Sequence, residues 1–155
     1  MTDEARIEYV ISLYNQKKYK DALNHVKPLI AKDNPAALNF LAICYQEGTG
    51  VKQDEAKAVE LFTKGAYQGN VVSQRQLAHC YFIGRGVIQN YQVAIKWYKY
   101  AADRGDIDSQ YTLGRMYERG KGVHQDYHIA VTMYKKAAYN GHHDAKLALK
   151  RLGVM

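Results

Sequence analysis

Apolar residues recur along this chain at intervals of three and four. Ala37, Leu41, Cys44, Tyr45 and Gly48 fall on one stripe of a helix, and Ala58, Leu61, Phe62, Gly65 and Ala66 form a similar stripe just after it. Between the two stripes lies the phrase EGTGVKQD (47–54). It returns as IGRGVIQN (83–90) and RGKGVHQD (119–126), each 36 residues after the last. The apolar positions keep the same interval. Leu41 is matched by Leu77, Leu113 and Leu149, and Tyr45 by Tyr81 and Tyr117. Ala58, Ala94 and Ala130 correspond, as do Phe62, Tyr98 and Tyr134, then Ala66, Ala102 and Ala138. One structural unit is written three times.

The residues around each stripe mark its ends. Gly48, Gly84 and Gly120 suit the left-handed position that closes a helix. Asp54, Asn90 and Asp126 suit the N-cap of the next one, and Gly69, Gly105 and Gly141 stop it. Each copy therefore predicts a helix–loop–helix hairpin, and hairpins that bury one another's faces give an all-α solenoid, expected as a right-handed superhelix. The expected division is one repeat domain over 1–155. Copies run over 36–70, 71–106 and 107–142, with a capping helix over 143–155 that sets Ala145, Leu149 and Leu152 opposite Lys146, Lys150 and Arg151. Residues 1–35 lack the glycine phrase. With Tyr19, Ala22 and Pro35 they resemble a diverged tetratricopeptide hairpin, and the 36-residue register is not expected to extend into them.

Taken alone, GRGVIQN looks like a phosphate-binding loop. Such a loop follows a strand and occurs once in its domain, whereas this glycine pair occurs three times and follows a helix each time. It is punctuation.

The 36-residue period, the pattern A…L…Y…G.GV.QD, the second-helix pattern A…WY.KAA and the closing GN or GD resemble the Sel-1-like repeat family. GRGVIQNYQVAIKWYKYAADRGD carries the likeness most fully. The first copy departs with Glu55 where the others have Tyr91 and Tyr127, and with Gly65 where they have alanine. The resemblance implies a helical scaffold that binds proteins or peptides, as adaptors do in signalling, envelope assembly, protein quality control and bacterial contact with host cells. Cysteine-rich relatives discussed as β-lactam-binding carry paired cysteines in each repeat, which this chain lacks.

Composition narrows the chemistry. The formal charge is +7, carried mostly after residue 70 and diluted by acids, with no block of like charge. A basic helical-repeat protein binding RNA is the second reading, and a β-lactam-binding or hydrolysing repeat protein a third. Code-reading RNA repeats need variable polar residues at one fixed place in every unit, and no such series stands out. Cys44 and Cys80 occupy the slot filled by Met116 in the third copy, so they read as apolar filler with no disulfide between them. The six histidines, among them His124, His128, His142 and His143, show no zinc spacing, and no nucleophile motif or carboxylate pair recurs. No catalytic residue, metal or cofactor is expected. Met1 opens no secretory signal and no apolar run is long enough to span a membrane, so a cytoplasmic location is expected, with delivery into a host cell by a dedicated secretion system left open.

A partner is expected on the face of each first helix opposite its apolar stripe, which in stacked hairpins is the concave side. The residues there are Asn39, Ile43, Gln46 and Glu47 in the first copy, then Arg75, His79, Phe82 and Ile83 in the second. Tyr111, Arg115, Glu118 and Arg119 come from the third. Phe82 and Ile83 are adjacent large apolar residues on a solvent face and ask for a cover. With the arginines they suggest an extended peptide that has an apolar anchor beside acidic residues or a free C-terminus. Phe82 lies off the apolar stripe, so its removal is expected to leave folding little changed.

Overall fold

The computed structural model describes residues 1–154; Met155, the end of the expected capping segment, lies outside them. The described residues form nine helices and no strand: α1 Asp3–Asn15, α2 Tyr19–Ile30, α3 Pro35–Glu47, α4 Glu55–Tyr67, α5 Val71–Ile83, α6 Tyr91–Asp103, α7 Ile107–Arg119, α8 Tyr127–Tyr139 and α9 His143–Arg151. This is the all-α, tandem-hairpin class read from the sequence. The residues group into two compact units, 1–73 with 85–87, and 74–84 with 88 onward.

The glycine phrase works as three fasteners. Gly48 and Gly120 take the left-handed conformation and return their N–H groups to the carbonyls of Cys44 and Met116. The glutamine of the phrase then donates its side-chain amide to a carbonyl of the helix just ended: Gln53 to Gln46 at 2.9 Å, Gln89 to Phe82 at 2.8 Å and Gln125 to Glu118 at 2.7 Å. Asp54, Asn90 and Asp126 accept from the N–H groups of Lys57, Val93 and Ile129 and open the second helix. The second glycine seats the loop on the preceding hairpin. At Gly122 an added Cβ would lie 2.4 Å from Tyr91 Cβ, and the backbone is held at φ +75°.

In the first unit α2 packs against both α1 and α3, and α3 against α4. Its core joins Val10, Leu13, Ala22, Val26, Leu29, Ala37, Phe40 and Cys44. Each large apolar side chain buried there contributes about 1.5–3 kcal/mol. One sequence expectation is corrected here. α2 starts 36 residues before α4, and Ala22 and Val26 stand 36 residues before Ala58 and Phe62, so the register does extend into the N-terminal hairpin. It stops at α1, because only 16–18 connect α1 to α2 where 48–54 connect α3 to α4. The apolar stripe of α3 is also broader than expected. Leu38, Phe40, Ala42 and Gln46 are buried with Ala37 and Cys44, while Leu41 and Tyr45 are only half-buried. A helix packed on a neighbour to each side has no single inward stripe.

In the second unit α7 packs against α6 and α8, and α9 against α8. Tyr134, fully buried, centres a cluster with Ala130, Ala137, Ala145, Ala148 and Leu149. α9 begins 36 residues after α7, so the C-terminal cap occupies the place of a fourth first helix.

Candidate functional site

In the first unit the four candidates on α3 differ in exposure and partners. Gln46 was expected on the solvent face and is instead buried, at 8% exposure. Its carbonyl accepts from both Gln53 and Arg85, the latter at 3.0 Å, which fixes the end of the helix against the 85–87 turn. Glu47 is exposed and pairs with Arg85 at 3.2 Å; Arg85 also binds Glu55 at 2.8 Å, and these carboxylates hold its guanidinium above the usual arginine range. Asn39 and Ile43 are half-buried, and the buried Asn39 Oδ1 accepts no hydrogen bond. A hollow of about 430 Å³ opens between α2 and α3, lined by Leu23, Ile30, Leu41, Tyr45, Lys20 and Lys27; none of the four candidates reaches it.

The second unit brings its candidates together differently. His79, Phe82, Arg115 and Arg119 surround a cleft of about 200 Å³ with Tyr98, Thr112, Met116 and Lys121. Tyr98 and Met116 are almost fully buried and make the floor. Arg115 and Arg119, one helical turn apart on α7, also border a shallower hollow of about 490 Å³ lined by Tyr111, Glu118, Tyr134, Asp144, Leu147 and Arg151. The two arginines form a cationic ridge between the hollows.

Charge at the site departs from a simple reading of α5 and α7. Arg75 is committed to Asp106 at 2.9 Å and Asp108 at 3.0 Å. Glu118 is gripped by Arg151 of α9 at 2.6 Å and by the Tyr134 hydroxyl at 2.5 Å. Arg151, ahead of these other contacts, holds the Glu118 carboxyl below the usual glutamate range. Burial first, and then the Glu118 carboxylate, pushes the Tyr134 phenol up. Among the described residues no carboxylate comes within 4 Å of the charged nitrogens of Arg115, Arg119 or Lys121. Lys121 instead lies over the rings of Phe82 and Tyr91, 5.6 Å from each centroid, and Arg115 lies 5.8 Å from that of Tyr111. Three cations with no carboxylate in ion-pair contact thus converge beside an aromatic floor.

Phe82 calls for a correction. It is half-buried, with its ring 5.4 Å from Tyr91 and 6.5 Å from Tyr98, so removing it takes away folded-state packing as well as any ligand contact. Ile83 is exposed and outside the cleft lining. Lys121, Tyr98, Thr112 and Arg151 were not among the sequence candidates. The available signal was Lys121 itself, a cation at the variable position between two glycines, where the preceding copy has Arg85.

The arrangement is suited to holding an anion beside an apolar group. Among the described residues no cluster of three or more His, Cys, Asp or Glu could hold a metal. Cys44 and Cys80 are buried and not joined in a disulfide, and burial pushes the Cys44 thiol up, away from a reactive thiolate. No described helix is long and apolar enough to cross a membrane.

The Sel1 repeat model matches residues 35–70, 71–106 and 107–142. Solved structures agree. A Sel1 repeat protein from Oxalobacter formigenes superposes with a TM-score of 0.83 and 32% identity, over 90% of this chain and 56% of that one. A protective antigen of uropathogenic Escherichia coli displaying an SLR fold superposes at 0.86 with 34% identity, over 94% of this chain and 32% of that one. Cysteine rich protein B of Helicobacter pylori, at 18% identity and 0.56, shares the fold over 68% of this chain. The chain spans about a third to just over half of the first two. No curated protein matches it.

Proposed function

The chain belongs to the Sel1 repeat family, and from that premise we propose that it is a non-enzymatic interaction module that holds an extended peptide on the α5–α7 face of its second unit. Helical repeats of this kind commonly mediate protein–protein interaction. The observation that supports the site is the convergence of Arg115, Arg119 and Lys121, none paired with a carboxylate, around a cleft floored by Tyr98 and Met116. The aromatic and apolar contacts would supply most of the affinity, and the cations orientation and association rate. An acidic partner fits that charge.

The test compares native-lysate partners retained by the wild-type protein with those retained by an Arg115→Glu/Arg119→Glu variant. Both arginines are exposed, so the melting curve should be unchanged. Protein partners held by the wild type should be lost from the variant. The reading fails if the same partners remain. It also fails if the retained species is sequence-selective RNA that stays bound at physiological salt, since charge attraction alone weakens steeply between about 50 and 200 mM.

A further inference from the structure

We infer that the smaller cleft receives the C-terminal residue of a partner chain, with an apolar last side chain and a free carboxylate; this rests on the peptide-binding reading above. A volume of about 200 Å³ is below that of ordinary small-molecule pockets, about 300–1,000 Å³, and is of a size for one large side chain. The residues that line it make two demands at once. Phe82, Tyr98 and Met116 ask for an apolar group, and Arg115, Arg119 and Lys121 on the same rim ask for an anion. An internal aspartate or glutamate satisfies only the second. An internal leucine or phenylalanine satisfies only the first. The last residue of a chain carries both on one Cα.

Guanidinium groups present paired donors in a plane, which suits a carboxylate. Arg115 and Arg119 also border the larger hollow, so the chain direction follows. The terminal residue enters the cleft, and the residues before it cross the arginine ridge towards Tyr111 and Leu147. One carboxylate leaves charge unmatched among three cations, so acidic residues are favoured just before the last position. A phosphorylated tyrosine would also combine a ring with an anion. The carboxylate is preferred because its planar pair of oxygens suits a guanidinium edge, and because a cleft of about 200 Å³ is of a size for one side chain rather than for a ring and a phosphate together.

The experiment uses the full chain, immobilised, and a degenerate pool of hexapeptides with free C-termini beside the same pool amidated. Retained peptides are identified by mass spectrometry. The free-acid pool should be enriched in leucine, isoleucine, phenylalanine or methionine at the last position and in acids before it. A synthetic peptide of the selected sequence should bind at least tenfold more weakly as its amide, or when extended by Gly-Ser-Gly. That preference should vanish in Arg115→Gln/Arg119→Gln, with the melting curve unchanged. If acid and amide bind alike and both depend on the two arginines, the C-terminal assignment is overturned while the peptide site stands. Retention of a phosphotyrosyl peptide in place of the free-acid pool overturns it equally. If no peptide of either pool is retained, the assignment and the site fall together.

Discussion

Single positions show how the three copies diverge within one frame. Gly114 stands where the earlier copies have Ala42 and Ala78, and a Cβ there would lie 2.6 Å from the ring of Tyr134. The missing methyl lets Tyr134 lie across α7 and reach Glu118, which stands where the earlier copies have Gln46 and Phe82. Arg75 and Glu118 looked like free charges because their partners, Asp106 and Arg151, stand 31 and 33 residues away, beyond what spacing along one helix can reveal. Gln110 shows the reverse case. Its amide donates to the Ala102 carbonyl, but its buried Oε1 accepts nothing. The equivalent Gln74 accepts from Arg104, whereas the residue in Arg104's place, Asn140, turns back to the Lys136 carbonyl. Asn140→Arg should therefore supply the missing donor and stabilise the fold by about 0.5–1.5 kcal/mol, the usual net value of a hydrogen bond. Urea denaturation would read this as a higher midpoint at unchanged slope; no gain, or a loss, would show that the Gln110 acceptor is satisfied by water.

At the scale of helices and loops, the sequence made most of the second half legible, since caps and stops recur at a fixed interval. The N-terminal hairpin was harder. Its second helix keeps the register at Tyr19, Ala22 and Val26, but the short 16–18 connection removes the glycine phrase that made the interval visible. The role of the phrase's glutamine was also hidden, because a bond seven residues back to a carbonyl leaves no periodic trace. The second glycine does two things, and they can be separated. Gly105 and Gly122 both have positive φ, +90° and +75°, but an added Cβ meets nothing within 4 Å at Gly105 and strikes Tyr91 at Gly122. Both alanine variants carry backbone strain; only Gly122→Ala also lifts its loop off α6. Gly122→Ala should thus cost about 1–3 kcal/mol more than Gly105→Ala, the range for forcing atoms into a packed contact. Equal losses would mean that backbone conformation alone governs this glycine.

For the chain as a whole, the charge of the proposed face is set from a distant segment, since Arg151 on α9 occupies Glu118 and leaves Arg115 and Arg119 with no carboxylate in ion-pair contact. One consequence is a dependence of stability on pH. Glu118 titrates below its usual 4.5 in the folded chain, chiefly because Arg151 donates to it. A carboxyl depressed by folding adds stability that is present above its unfolded value and lost as pH falls through the lower folded one. Below pH 4.5 the wild type should lose stability more steeply than Glu118→Gln, and parallel curves would deny the carboxylate that role. The other consequence concerns binding. Without Arg151, Glu118 stands three residues from Arg115 on the same helix and beside Arg119, close enough to compete with an acidic ligand for both. Arg151→Ala should weaken peptide binding by about two- to fivefold, the scale of an exposed ion pair, and mainly at low salt. Loss of a direct Arg151–ligand contact would weaken binding too, so the deciding variant is Arg151→Ala/Glu118→Gln. If Arg151 acts by occupying Glu118, removing the acid restores wild-type affinity. If affinity stays low in the double variant, Arg151 touches the ligand itself, and the peptide extends across the larger hollow onto α9.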